Sequence, residues 1–382
     1  MFLRKLAVLT AGAAMVLAAC SSGGGGTTAP SGQSGKGCVV GVSWNNFQQP
    51  RWAAHDEPNL KKTVVDAGGS YISADANLVA EQQLTDVDTL ISKGAKVLVI
   101  LAQDGKAILP ALKKAADAKI PVIAYDRLIE DPSILYITFN NQGVGEAEAK
   151  AILTKVPKGN YVLIKGDPGD ANASTFLPAG WDVAGLKAAV SSGDIKILGP
   201  ADGTYTDAWK TEKAQSNMEA IIDKAVADGT KIDAILAEND STALGVVGAL
   251  TAKSYGFPPL SGQDGDPANL NNVALGKQYV DVFKNANELG KATGAAALAL
   301  CAGTKMADLK LPAGLVAADV APTAGLAAQD FKTPGGITVK SFILQPTPLT
   351  ADTLQKAIDA GQISKADLCK GVDAATGPAA CK

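Results

Sequence analysis

Short runs of β-branched and aliphatic residues alternate with amphipathic stretches along most of the chain, and no other feature restricts its fold as much. Val39–Ser43, Ser70–Ser73, Lys96–Leu101, Pro121–Tyr125 and Leu135–Phe139 have strand character, with helical patterns over Glu57–Asp66, Leu78–Ser92 and Lys106–Ala118 between them. The unit recurs with strands at Tyr161–Lys165, Ile195–Leu198, Ile232–Ala237 and Val280–Phe283, and with helices near 143–155, 175–190, 207–228 and 241–253. Continuous apolar strands, each followed by a helix, indicate parallel sheets covered on both faces. Two runs of such units predict an α/β protein of two doubly wound lobes; a (β/α)8 barrel is the rival. About 345 residues beyond the N-terminal segment suffice for two domains.

That N-terminal segment is of another kind. Arg4 and Lys5 precede an apolar run from Leu6 to Ala19, too short at about 14 residues to span a bilayer. A charged n-region, an apolar h-region and small residues before a cleavage point define a secretory signal over 1–19. Leu17-Ala18-Ala19-Cys20 matches the bacterial lipobox, so Cys20 is the expected lipidation site and the mature N-terminus; an ordinary signal peptide with an incidental cysteine is the alternative. Residues 20–37 are rich in Gly, Ser and Thr and cannot bury enough surface to fold. A Gly/Ser tether of roughly 17 residues reaches about 23 Å. The expectation is an exported protein held at the outer face of the cytoplasmic membrane only through lipid, with the folded body starting near Cys38.

Composition removes several function classes. A charged fraction of 19% and a net charge of −3 give no basic field for nucleic acid. The single histidine, His55, lies at the start of a charged helix, where a surface role is expected, and neither a Gly-x-Ser-x-Gly elbow nor a phosphate-binding Gly-rich loop is present. No cofactor or metal is expected. Apart from Cys20, four cysteines remain, Cys38, Cys301, Cys369 and Cys381, with no Cys-x-x-Cys spacing. Disulfides in an oxidising compartment and buried free thiols both remain open.

In doubly wound sheets ligands bind beyond the carboxyl ends of the strands. The residues there are polar and unusual: Trp44-Asn45-Asn46-Phe47, Arg51-Trp52, Gln103-Asp104, Asp126-Arg127, Asn140-Asn141, Asp167 to Asn172, Glu238-Asn239-Asp240, Gln263-Asp264 and Lys284. Carboxylates and amides bond vicinal hydroxyls, Arg and Lys add charge-assisted bonds, and aromatic faces cover the C–H surface of a pyranose. This is the chemistry of polyol recognition. Each residue also has a plainer role open to it. Asp126 and Arg127 could form only a local ion pair, Asp240 could cap the helix at 241–253, and Trp52 and Trp181 read as packing residues.

The order Arg-Trp, Ala-Tyr-Asp-Arg, Tyr-Ile-Thr-Phe-Asn-Asn, Glu-Asn-Asp-Ser-Thr-Ala and Ser-Gly-Gln-Asp-Gly-Asp, spread over most of 38–350, resembles the periplasmic D-xylose-binding proteins. These are type I sugar-binding solute-binding proteins of ABC importers. The resemblance implies the periplasmic binding protein type I fold, two Rossmann-like lobes joined by a three-crossing hinge near 139–140, 284–286 and 341–344. It thereby implies an N-terminal lobe of 38–139 plus 286–342 and a C-terminal lobe of 140–285 plus 343–382. Position by position it implies sugar contacts at Arg51, Arg127, Asp170, Asn172, Trp209, Asn239, Asp264 and Lys284, the last as the third-to-last residue of a hinge strand, with Phe47, Gln103, Asp126 and Phe176 as further candidates. The segment 44–50 and the Gln103-Asp104 pair depart from that family's pattern. The implied function is capture of one monosaccharide, D-xylose first, by a monomer that delivers it to an ABC permease and is no enzyme. Glucose, galactose or arabinose binding and a chemosensory role are alternatives, as is an exported glycoside hydrolase using Asp126 and Asp264. Against the hydrolase, Arg127 and Lys284 are expected to hold those carboxylates ionised. On the implied lobe map Cys38 starts the first strand, and Cys301 ends a helix running antiparallel to the strands of the same lobe. That favours Cys38–Cys301, with Cys369–Cys381 pinning the tail of the other lobe.

Overall fold

The computed structural model describes residues 35–315 and 325–382. The signal segment, Cys20 and the tether up to residue 34 lie outside the described residues. The tether's last residues do not: Gly35 is buried and its N–H donates to the Ala67 carbonyl at 2.7 Å, so packing begins slightly before Cys38.

The first sheet is built from β1 (Val39–Trp44), β2 (Ser70–Asp75), β3 (Val97–Ile100), β4 (Val122–Tyr125) and β5 (Ile134–Phe139), in the parallel order β2-β1-β3-β4-β5. The second is centred on β6 (Gly159–Ile164), β7 (Ile195–Leu198) and β8 (Ala234–Ala237), in the order β7-β6-β8. Single bridges carry that sheet on from Ile235 to Leu260 and from Gln263 to Val282 of β9 (Asp281–Phe283), which repeats the order of the first. Two short strands, β10 (Lys310–Leu311) and β11 (Leu326–Ala327), pair antiparallel. The first sheet gains β12 (Gln329–Lys332) and β13 (Thr338–Leu344), the latter parallel to β5, and β14 (Thr347–Leu349) pairs with β9.

Central strands β3, β4, β5 and β8 are buried along their full length, because helices cover both faces. Ser70–Ser73 was expected as a buried strand. It belongs instead to the edge strand β2, whose residues are all exposed or half-buried because nothing pairs beyond it. Helices α1 (Glu57–Asp66), α2 (Ala80–Ser92) and α3 (Leu109–Asp117) follow β1, β2 and β3. After β5 come α4 (Asn141–Lys155), α5 (Leu177–Val183), α6 (Leu186–Ser191), α7 (Thr211–Ala227), α8 (Asp240–Ala252), α9 (Pro267–Ala274) and α10 (Ala286–Cys301). The helix expected over 175–190 is broken at Gly185, whose φ of 106° no helix accepts. The chain closes with α11 (Gln355–Asp359) and α12 (Lys365–Leu368).

Three segments connect the sheets: Asn140 after β5, Lys284-Asn285 after β9, and Gln345-Pro346 after β13. The third crossing was expected near 341–344, with the lobe boundary between 342 and 343. Ile343 and Leu344 pair with Thr138 and Phe139, so the first sheet holds them and the crossing follows. The structure holds both disulfides, Cys38–Cys301 with a Cα separation of 5.7 Å and Cys369–Cys381 with 5.4 Å. The first ties the start of β1 to the end of α10, the second the C-terminal turn to the end of α12. Among the described residues no helix is long and apolar enough to cross a membrane.

Candidate functional site

The polar strand ends of the two sheets face each other. Between them lies a narrow cavity lined by Gln49, Arg51, Trp52, Asp126, Arg127, Asp170, Asn172, Trp209, Asn239, Gln263, Asp264 and Lys284. All eight principal candidates are in this lining and none is more than 7 % exposed. Asp126 joins them. Phe47, Gln103 and Phe176 do not: Phe47 packs on Trp44, Gln103 accepts from Asn45 Nδ2, and Phe176 packs on Phe331. Gln49 was not singled out, and Trp52 and Gln263 were noted at strand ends but not chosen as sugar contacts. Trp52, expected to be packing only, lies under the Arg51 guanidinium at 4.2 Å, and its Nε1–H donates to Gln49 Oε1 at 2.6 Å. Trp181 is a packing residue, as expected, bonded to Glu148 at 2.9 Å.

Arg51 stands at the start of one turn of π-helix, Trp52–Asp56. In an α-helix, residues five apart point about 140° away from each other; the wider π turn brings them closer to one face. Asp56 thereby takes Arg51 in a fork, with Nε to Oδ2 at 3.1 Å and Nη2 to Oδ1 at 2.9 Å, and the Tyr125 hydroxyl donates to the same carboxylate. The fork fixes the guanidinium, leaving Nη1 to reach Asp264 Oδ1 at 2.7 Å. Asn172 opens a second π turn, Asn172–Phe176, and its backbone N–H donates to Asp170 Oδ1 at 2.9 Å. Pro58 and Pro178, each second in the α-helix that follows, lack the N–H a continuous α ladder would use.

Charges pair across the gap between the sheets. Arg51 meets Asp264, Arg127 Nε meets Asp170 Oδ2 at 3.1 Å, and Lys284 Nζ meets Asp126 Oδ2 at 3.2 Å, while Asp264 Oδ1, on the same side as Lys284, lies 3.5 Å from its Nζ. A merely local Asp126–Arg127 pair is thus not what forms. Lys284, expected within a hinge strand, lies just past the end of β9. Burial opposes the charge on Arg51, but Asp56, Asp126 and Asp264 more than reverse this and raise its pKa. Burial likewise opposes ionisation of Asp126, yet Lys284 and Arg51 hold its pKa below the ordinary value, which suits a permanent acceptor and not a general acid. At Asp170 burial prevails over Arg127, and the pKa is raised.

Backbone strain collects here. Asp126, Trp209 and Asp264 have φ of 59°, 58° and 109°, values that non-glycine residues seldom adopt and that concentrate at ligand clamps. The Trp209 ring lies against Gly166, where a Cβ would come within 2.2 Å of it. The Asn172 Oδ1, Trp209 Nε1 and Gln263 Oε1 atoms are buried without a hydrogen-bond partner in the protein. Such atoms are costly unless something polar meets them. Asn239, not Asp240, caps α8: its Oδ1 accepts from Thr242 N–H at 3.0 Å. Asn239 is β-extended and therefore outside the helix, whereas Asp240 is already its first residue.

A buried, charge-paired cavity between two doubly wound sheets, joined by three crossings, defines a two-sheet solute-binding protein. The chain belongs to the periplasmic binding protein domain family, whose profile matches residues 40–305, and its α/β fold is the periplasmic binding protein type I fold. It is 36% identical to the D-xylose-binding periplasmic protein of Escherichia coli (strain K12), over 68% of this chain and 77% of that one. It is 32% identical to a multiple sugar-binding periplasmic receptor of Rhizobium radiobacter, over 72% and 81%. Among solved structures, an ABC transporter solute-binding protein from Clostridium phytofermentans with bound β-D-glucose superposes with a TM-score of 0.75 at 33% identity, covering 86% of this chain and 99% of that one. These relatives are binding and transport proteins, not enzymes.

Proposed function

We propose that this chain is an exported solute-binding lipoprotein that captures one monosaccharide, D-xylose, and delivers it to an ABC importer. The observation that carries this reading is the set of opposed charges from two sheets around one small cavity. Arg51, Arg127 and Lys284 donate charge-assisted bonds to hydroxyls, and Asp126, Asp170 and Asp264 accept them. Asn172 and Asn239 add amides, and Trp52 and Trp209 supply aromatic surface. We assign one lobe to 38–139 plus 286–344 and the other to 140–285 plus 345–382. A sugar that needs both sets of groups favours the closed arrangement, where alone both reach it.

The name of the 36% identical relative favours D-xylose. The glucose held by the 33% identical structure supports a second reading, D-glucose. A pentose has about ten heavy atoms, and the ceiling near −1.5 kcal/mol per atom for very small ligands puts micromolar binding, about −8 kcal/mol, within reach. Calorimetry with D-xylose, D-glucose, D-galactose and L-arabinose is expected to give one of the first two a micromolar Kd. Silence toward all four at millimolar concentration sinks the proposal.

The anchor is tested separately. In a bacterial host the full chain is expected in the membrane fraction, and Cys20→Ser is expected to release it to the soluble exported fraction. Identical fractionation of the two proteins leaves an ordinary signal peptide as the better reading.

A further inference from the structure

The loop that presents Asp264 is held from behind by two carboxylates that serve no role described so far. Gly265 N–H donates to Asp281 Oδ1 at 3.1 Å, and Asp266 N–H donates to Asp240 Oδ2 at 2.7 Å. Both side chains are fully buried. Their other oxygens, Asp281 Oδ2 and Asp240 Oδ1, are also buried and receive no donor. The two carboxyl groups hold consecutive amides of one loop, which sets them side by side, and each bears on the ionisation of the other. A proton held between them would supply a donor that these oxygens lack.

The surroundings offer no competing cation. The groups acting electrostatically on the pair are acids, Asp264 and Asp266 of the same loop. Glu148, reaching in from α4, is a further acid that feels Asp281. Asn269 donates to the Asp240 carbonyl and to Gln278, whose own amide donates to the Val280 carbonyl, and both are neutral. Arg51 and Lys284 are committed to the cavity side, through Asp264. Gln362 closes the back of the loop by donating to the Gly265 carbonyl at 2.9 Å.

We propose that Asp240 and Asp281 share one proton and act as positioning residues for Asp264, so that sugar capture is tighter below neutral pH and slacker above it. This rests on the sugar-capture reading given above. Loss of the proton sets two adjacent buried charges against each other and against Asp264. These same two groups anchor the N–H groups of residues 265 and 266, so their separation shifts the loop and moves Asp264 off its bonding position. Burial pushes the Asp281 carboxyl up to about 7, and burial together with repulsion from Asp281, Asp266 and Asp264 pushes Asp240 well above its ordinary value. The sign follows from linkage. A carboxyl whose folded value is raised supplies stability at acid pH that is lost as pH rises from about 4 to about 7.

The test is calorimetry of the wild type, Asp281→Asn and Asp281→Ala with D-xylose and D-glucose at pH 6, 7 and 8.5, with thermal melts of the free proteins from pH 5 to 8. Asparagine can accept from Gly265 N–H and donate to Asp240, imitating the protonated pair; alanine can do neither. The wild type is expected to bind about tenfold more weakly at pH 8.5 than at pH 6, which corresponds to a difference of one pKa unit between bound and free forms. Asp281→Asn is expected to lose this dependence and to bind more tightly than Asp281→Ala at every pH. Its melting temperature should gain on the wild type as pH rises. A flat wild-type profile, or the same slope in Asp281→Asn, overturns the proposal. Should neither sugar give heat at any pH, the sugar reading fails and the melts alone decide: a melting gap that does not change with pH overturns the shared proton as well.

Discussion

Replacing Arg51 with alanine is expected to cost about 3–5 kcal/mol of folding stability at pH 7, the usual penalty for removing one partner from a buried ion pair. Arg51 is 1 % exposed, and its guanidinium is the common counterion of Asp56, Asp126 and Asp264. Without it, three carboxylates from three segments stand together; Lys284 pairs with Asp126 and Asp264 and Arg127 acts on Asp126, but neither makes an ion pair with Asp56. Arg51→Lys keeps the charge but not the fork, and is expected to lose less, about 1–2 kcal/mol. The deficit has a pH sign. In the wild type the Asp126 pKa is held low, so its contribution is present above about 4 and lost as pH falls. In Arg51→Ala that support is gone and the neighbouring carboxyl groups favour protonation, so the gap from wild type is expected to shrink towards pH 4.5. Urea unfolding at pH 7 and pH 4.5 measures both. A deficit below 1 kcal/mol, or one that widens in acid, contradicts this account of the cluster.

How much of this was legible in the sequence depended on what each residue's role requires. The central strands were readable because a strand buried on both faces must be apolar throughout, as Val97–Ile100 and Ala234–Ala237 are. The stretch at Leu260–Gln263, which extends the second sheet by isolated bridges, went unread because Leu-Ser-Gly-Gln has no strand pattern. So did β12, whose Gln-Asp-Phe-Lys lies on an edge and needs little burial. Site residues were found where a polar side chain breaks an apolar strand end. Phe47, Gln103 and Phe176 show the limit of that signal, since lying near a strand end does not fix the direction of a side chain. Asp56 and Asp281 were invisible for a different reason. Their partners, Arg51 in a π turn and a backbone N–H sixteen residues upstream of Asp281, are set by local geometry and by tertiary contact, and neither leaves a mark on spacing. Trp52 needed the same knowledge, because only the structure distinguishes a Trp stacked on a charged binding group from one filling a core.

Asp264→Asn is expected to weaken sugar binding by about 2–4 kcal/mol, roughly thirtyfold to several hundredfold, while leaving the fold as stable as the wild type or more so. The two effects separate because Asp264 faces different company on its two sides. Towards the cavity it is the acceptor shared by Arg51 and Lys284, at 2.7 and 3.5 Å, where its charge orders both donors around a ligand hydroxyl. Behind it lie Asp240, Asp266 and Asp281, whose carboxyl groups its charge pushes towards protonation. Its φ of 109° adds a strain that asparagine accepts at least as readily. Removing the charge therefore relieves repulsion behind the loop, and Arg51 keeps Asp56 and Asp126 as counterions. A residue that lowers stability and is needed for binding is the expected signature of a site tuned for its ligand rather than for the fold. Calorimetry with the sugar that the wild type binds, beside thermal melts, measures the pair of effects, and the exposed Asp182→Asn serves as the control. Binding by Asp264→Asn within threefold of the wild type would remove Asp264 from the site. A large drop in melting temperature with binding retained would recast it as a structural residue.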